Sequence, residues 1–199
     1  ISLWMHYTEN MQNSKDKSWK LARLSWKKRL AVVLAIGLGV WSILTSDWGE
    51  AGKLQALEPK NAPVIAFLDP QGNTHHLSDY QSKITILNFW ATWCSPCKKE
   101  MPLLDTLAKE RDLNIIVIAS ESDAKLAERF FTEHGIQNLT PFYDKNNIAF
   151  DAYRVSTLPM AFVINPQGKL VARAVGMVDW PNEPLLKRLR AELKKESML

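Results

Sequence analysis

Residues 84–104 read ITILNFWATWCSPCKKEMPLL, and three kinds of local structure follow one another inside them. ITILNFW (84–90) is short, apolar and rich in β-branched and aromatic side chains, the pattern of a strand buried on both faces. The segment 97–110 places Met101, Leu104, Leu107 and Ala108 at helical spacing. Between strand and helix stands Trp93-Cys94-Ser95-Pro96-Cys97, which puts Cys94 at a helix N-terminus. Unpaired backbone N–H groups and the helix dipole favour an anion there. Lys98 and Lys99 add positive charge one turn on, so the Cys94 thiol is expected below its ordinary pKa and ready to react as thiolate. Cys97 lies one turn further in on the same face. It is expected to be the more buried, resolving thiol, with Pro96 stiffening the turn between them.

These are the only two cysteines of the 199-residue chain. A bond between residues three apart closes too small a loop to restrict the unfolded chain much, so the pair reads as chemistry rather than as a staple. Two rival uses of C-x-x-C fit less well. Half a zinc site would need a second Cys/His pair at ligand spacing, and His75 and His76 are adjacent, beside a turn, and expected to be solvated. Covalent haem attachment needs C-x-x-C-H, and residue 98 is Lys.

The rest of the chain alternates around this segment. Strands are expected at 63–68, 113–119, 140–143, 160–165 and 169–175, and helices at 123–134, 146–154 and 183–195. Asp69-Pro70-Gln71-Gly72-Asn73 and Asn165-Pro166-Gln167-Gly168 are turn signals, and Gly135 is a helix stop. The expected fold class is α/β: a central mixed sheet, part parallel and ending in an antiparallel hairpin, flanked by helices. Thr157-Leu158-Pro159 stands just before the strand at 160. A proline is tolerated at a strand's first position, and trans is the ordinary state of its peptide bond.

The N-terminal quarter is different in kind. Of the net charge of +4, all belongs to residues 1–49, which carry seven bases (Lys15, Lys17, Lys20, Arg23, Lys27, Lys28, Arg29) against three acids (Glu9, Asp16, Asp47). The remainder is neutral, without the basic footprint of a nucleic-acid-binding domain. LAVVLAIGLGVWSILTS (30–46) is uncharged and reaches the ~17–25 residues needed to cross a bilayer core. Basic residues stand directly before it, and Trp26, Trp41 and Trp48 lie near its ends. The expected division is a cytoplasmic basic arm (1–29), a transmembrane anchor (30–46), a linker (47–62) and a globular domain (63–199) beyond the membrane. A cleaved signal ending near Gly49-Glu50-Ala51, or a buried core helix, are the competing readings.

Taken together, the W-C-S-P-C motif in this layout resembles the thioredoxin superfamily. LNFWATWCSPCKKEMPLL (87–104) is similar to its TlpA/ResA-type membrane-anchored branch, which includes the cytochrome c maturation thioredoxins. The resemblance covers roughly residues 60–195. It implies a thioredoxin-like fold and a thiol:disulfide oxidoreductase in which Cys94 attacks and Cys97 resolves. It implies that Pro159 is the cis-proline beside the active site. Glu100 matches an acid thought to tune the cysteines and move protons; the plainer reading is a first-turn acid complementing the helix dipole. Asn88 stands where cytosolic thioredoxins carry a buried Asp, which puts more weight on Glu100. Trp90, Trp93, Ser95, Pro96, Thr157 and Leu158 are the expected substrate-docking residues, with simple packing the alternative for the two tryptophans. Gly176 followed by Trp180 looks TlpA-like, although Trp180 fits packing of the last helix equally.

The resemblance also implies partners and place. The expected protein is a monomer, single-pass in a bacterial inner membrane, with its domain in the periplasm and no cofactor beyond the Cys94–Cys97 redox pair. It would take electrons from a membrane donor of the DsbD/CcdA kind. It would pass them to a client protein with a cysteine pair, an apocytochrome c or the copper site of a respiratory oxidase. The alternative is a thioredoxin-fold copper-binding or chaperone module using the cysteines as ligands. Such a module would be expected to show C-x-x-x-C and a distant loop His, whereas here the spacing is C-x-x-C and His134 falls at a predicted helix end.

Overall fold

The computed structural model describes residues 51–121 and 123–196. In chain order these form β1 (Gln55–Asn61), β2 (Ala66–Leu68), β3 (Thr74–His76), a 3-10 turn (Leu77–Tyr80), β4 (Ile84–Trp90), α1 (Ser95–Leu107), β5 (Leu113–Ala119) and α2 (Ala124–His134). There follow β6 (Pro141–Tyr143), α3 (Ile148–Ala152), β7 (Met160–Ile164), β8 (Lys169–Val175), a 3-10 turn (Trp180–Asn182) and α4 (Pro184–Glu196). The fold is thioredoxin-like α/β. The strands make one mixed sheet in the order β1-β8-β7-β4-β5-β6-β2-β3. The pairs β4–β5 and β5–β6 are parallel, and the β7–β8 hairpin joins β4 antiparallel.

All seven residues of β4 are buried, as expected of a central strand covered on both faces. Its side chains alternate between two cores. Ile84, Ile86 and Trp90 pack with Met101 and Leu104 of α1 and with Trp180 and Leu186. Leu87 and Phe89 pack on the other face with Ile116, Ile118, Phe142, Phe150 and Phe162. Asn88 has the parity of Ile86 and Trp90, so the strand's one amide points to the α1 side, where it meets Glu100.

The central elements match the sequence reading, and the sheet edges do not. Residues 55–61, expected within the polar linker, form edge strand β1 against β8. Its Ala56/Lys60 register shift brackets Pro59, which cannot donate to the ladder and breaks the alternation by which a strand is recognised. The expected strand 63–68 shortens to Ala66–Leu68 and pairs with the unforeseen β3, whose Thr74-His75-His76 has no apolar residue to announce it. His75, expected to be solvated, is half-buried between Asp69 (Nε2–Oδ2 3.1 Å) and the Tyr80 hydroxyl (3.2 Å from Nδ1). The basic arm and the anchor lie outside the described residues. Among the described residues no helix is long and apolar enough to cross a membrane.

Candidate active site

Cys94 is the N-cap of α1, in extended backbone conformation, and Pro96 occupies the first turn, where a missing N–H leaves no helical bond unmade. The Cys94 carbonyl accepts the Lys98 N–H at 3.2 Å, and the Cys97 N–H points at Cys94 Sγ at 3.3 Å. A backbone donor aimed at this sulfur is the geometry that favours a thiolate. Cys94 and Cys97 are joined as a disulfide with Cα atoms 5.3 Å apart. Cys94 retains 5 % exposure and Cys97 none, the order expected for an attacking and a resolving thiol. Lys98 and Lys99 are exposed on the first turns.

Glu100 is fully buried and lies beyond the helix's first turn, so the reading of it as a first-turn acid complementing the helix dipole does not describe it. Its carboxyl is held by three donors from elsewhere in the chain. The Val178 N–H (3.0 Å) and the Trp180 indole N–H (2.8 Å) both reach Oε1, and the Asn88 amide (3.1 Å) reaches Oε2. Burial pushes this carboxyl above its ordinary pKa, and the three hydrogen bonds pull the other way without cancelling it. This acid stands three residues past Cys97, one turn along the same helical face.

The Leu158–Pro159 bond is cis, and Pro159 is buried with its carbonyl accepting the Gly176 N–H at 2.8 Å. Gly176 turns the end of β8 at a φ of +85°, leading the chain to Val178 and Trp180. Gly52 packs against this turn so closely that a Cβ there would stand 2.4 Å from the Met177 carbonyl oxygen.

Of the expected docking residues, Trp93, Ser95, Pro96, Thr157 and Leu158 line one cleft with Cys94. Trp93 is 71 % exposed at its rim. Trp90 is not among them: it is fully buried, packed on Phe130 and Phe131 with ring centroids 5.2 and 5.5 Å away, and offers no surface to a substrate. The cleft is completed by Ser120, Phe150, Val155 and Ser156, which carry no sequence signal of their own, and every lining residue is uncharged. Also unforeseen is Glu121, a buried acid after β5 whose carboxylate accepts the Thr92 N–H and so holds the loop that leads into Cys94. Among the described residues, no group of three or more His, Cys, Asp or Glu is placed to hold a metal ion.

Comparison with known proteins agrees with this geometry. Residues 59–173 match the AhpC/TSA family. The chain is 35% identical over 160 residues to the thiol-disulfide oxidoreductase ResA of Bacillus subtilis, covering 79% of this chain and 87% of that protein. It is 29% identical over 179 residues to ResA of Bacillus thuringiensis, covering 88% and 98%. Among solved structures, an exposed lipoprotein thioredoxin of Streptococcus pneumoniae superposes with a TM-score of 0.56 at 27% identity, over 64% of this chain and 98% of that one.

Proposed function

We infer, from the premise that this chain belongs to the AhpC/TSA family and catalyses thiol–disulfide exchange like its ResA relatives, that it reduces disulfides of specific client proteins on the outer side of a bacterial inner membrane. The observation that carries this reading is the Cys94–Cys97 pair across the first turn of α1 with a buried carboxyl behind it.

In the reduced enzyme the Cys94 thiolate attacks one sulfur of a client disulfide, forming a mixed disulfide and expelling the other client sulfur as a thiolate that takes a proton from water. Cys97 then passes its proton to Glu100 and attacks Cys94 Sγ. The second client sulfur leaves as a thiolate and takes a proton from water, and Glu100 gives up the Cys97 proton to solvent. The client has gained two electrons and two protons, and the enzyme is left as the disulfide described above. Pro159 and the cleft residues Trp93, Ser95, Pro96, Thr157 and Leu158 hold the client segment beside Cys94. A neutral cleft suits a neutral, extended segment around the client cysteine.

A membrane donor of the DsbD/CcdA kind restores the dithiol, and the clients are cysteine pairs of apocytochrome c or of a copper site. Placement outside the cytoplasm is supported by Lys27-Lys28-Arg29 ahead of the uncharged run 30–46. That the pneumococcal relative is an exposed lipoprotein supports the same side. The test is trapping: Cys97→Ser should accumulate mixed disulfides through Cys94, identifiable after pull-down, while Cys94→Ser should trap none. Equal trapping by both would reverse or abolish the assignment, and captured partners without a cysteine pair would remove the client class.

A further inference from the structure

The two oxygens of Glu100 are not equivalent. Oε1 already accepts two N–H donors, from Val178 and from the Trp180 indole. A proton cannot be added there without displacing one of them, so it must go to Oε2. Oε2 faces the Asn88 side-chain amide, which in this structure donates to it at 3.1 Å. That arrangement serves an ionised carboxylate. A hydrogen on Oε2 either takes the lone pair facing Asn88, where two donors would point at each other, or takes the free one and leaves Asn88 donating to a hydroxyl oxygen, a weaker acceptor than a carboxylate.

Asn88 also holds the remedy. It is fully buried, and its Oδ1 has no hydrogen-bond partner, which is rare for a buried carbonyl oxygen. Half a turn about the last side-chain bond exchanges Oδ1 and Nδ2 with almost no change of shape. The backbone beneath it is fixed by pairing to Val117 on one side and Ala161 on the other, so the amide can rotate without the strand moving.

We propose that the Asn88 amide is a two-position switch that follows the proton on Glu100: Nδ2 donates to Oε2 when the carboxyl is ionised, and Oδ1 accepts the Oε2 hydrogen when it is not. This rests on the reading of Glu100 as the group that takes the Cys97 proton. It makes Asn88 a positioning residue that gives both charge states of one buried acid a partner, so the acid can cycle between them within a turnover. A fixed donor would hold it ionised, and a fixed acceptor would hold it neutral. The ionisable side chains on the elements around this carboxyl are Cys94 and Cys97, bonded together in the oxidised form; the exposed Lys98, Lys99 and Asp179; Asp105, engaged by the 137–138 backbone; and Glu183, engaged by the Leu54 and Leu185 N–H groups.

The experiment uses the full chain in its oxidised form, in which neither cysteine titrates, with asparagine and glutamate isotope labels read by NMR. Above the Glu100 inflection the Asn88 amide hydrogens should show cross-relaxation to the Glu100 Cγ hydrogens. That contact should be lost below the inflection, and the Asn88 amide nitrogen should shift with the same midpoint. Glu100→Gln offers a permanent donor at the Oε2 position, so in this variant the contact should be absent at every pH. A contact that persists through the titration and in Glu100→Gln, while that variant still slows exchange, overturns the switch and leaves the proton role of Glu100 standing. Exchange that Glu100→Gln leaves at the wild-type rate overturns that role, and the switch with it.

Discussion

Replacing Glu100 by Gln removes one ionisable group from the middle of the domain and keeps its size. Burial raises the folded-state pKa of this carboxyl from 4.5, while in the unfolded chain it ionises in the ordinary range. Between the two values the folded protein holds a proton that the unfolded chain has released. Stability is therefore complete below the ordinary glutamate range and falls as pH rises through the raised value, levelling off above it. A single group can contribute a slope of at most about 1.4 kcal/mol per pH unit in that window. The total is set by how far burial outweighs the donors from Val178, Trp180 and Asn88. The assay is denaturant unfolding of the oxidised protein at a series of pH values, wild type against Glu100→Gln, so that the cysteines stay silent and every other group cancels. The difference between the two curves should be flat at acid pH and then move steadily in the variant's favour as pH rises. A difference that stays constant with pH, or runs the other way, would refute the claim that desolvation dominates at Glu100.

Trp180→Phe keeps most of the packing and removes the indole donor to Glu100, a bond to a charged group worth about 1.5–3 kcal/mol. Its destabilisation should be larger at alkaline pH, where the acid is ionised, than at acid pH; equal loss at both ends would make Trp180 a packing residue only. At the other face Asp69 is lowered to about 2, foremost by the Asn73 side-chain amide and also by His75 and the backbone N–H groups of Asn73 and Gln71. Its contribution is present above the ordinary carboxylate range and lost as pH falls toward 2, so Asp69→Asn should flatten the acid limb of a circular-dichroism stability profile. Trp93→Ala at the exposed cleft rim should change stability by no more than about 0.5 kcal/mol while raising the KM for a client protein. Trp90→Ala in the core should lose about 3–5 kcal/mol in denaturant unfolding, and comparable losses at the two sites would erase the distinction between docking and packing.

How far these features could be read in advance follows from the range over which each is determined. β4, the W-C-S-P-C turn and α1 are local: an apolar run, a proline in a first helical turn and a helical stripe each declare themselves within a dozen residues, and all three stand where the sequence puts them. The hairpin of β7 and β8 is local too, closed by Asn165, whose side chain accepts the Gln167 and Lys169 N–H groups. β1 and β3 are strands only because β8 and β2 lie beside them, and Pro59 and the polar Thr74-His75-His76 hide them from any pattern. Trp90 and Trp93 show the same limit inside the motif. They flank one turn, yet strand parity buries the first against α2 and the turn exposes the second.

Glu100 is where the local and the distant meet. Its place three residues after Cys97 is visible in the sequence, but what it can do is decided by partners 12, 78 and 80 positions away. Two of them arrive only after the sheet has turned at Gly176, whose N–H is itself fixed by the carbonyl of Pro159. The cysteines would sit at the tip of α1 in any fragment that formed β4 and α1. The acid behind them acquires its two Oε1 donors only when β7, β8 and the Trp180 turn have closed over that helix. The setting of Glu100 is thus a property of the finished fold: a chain that has not completed its C-terminal hairpin carries the two cysteines without the donors that fix this acid behind them.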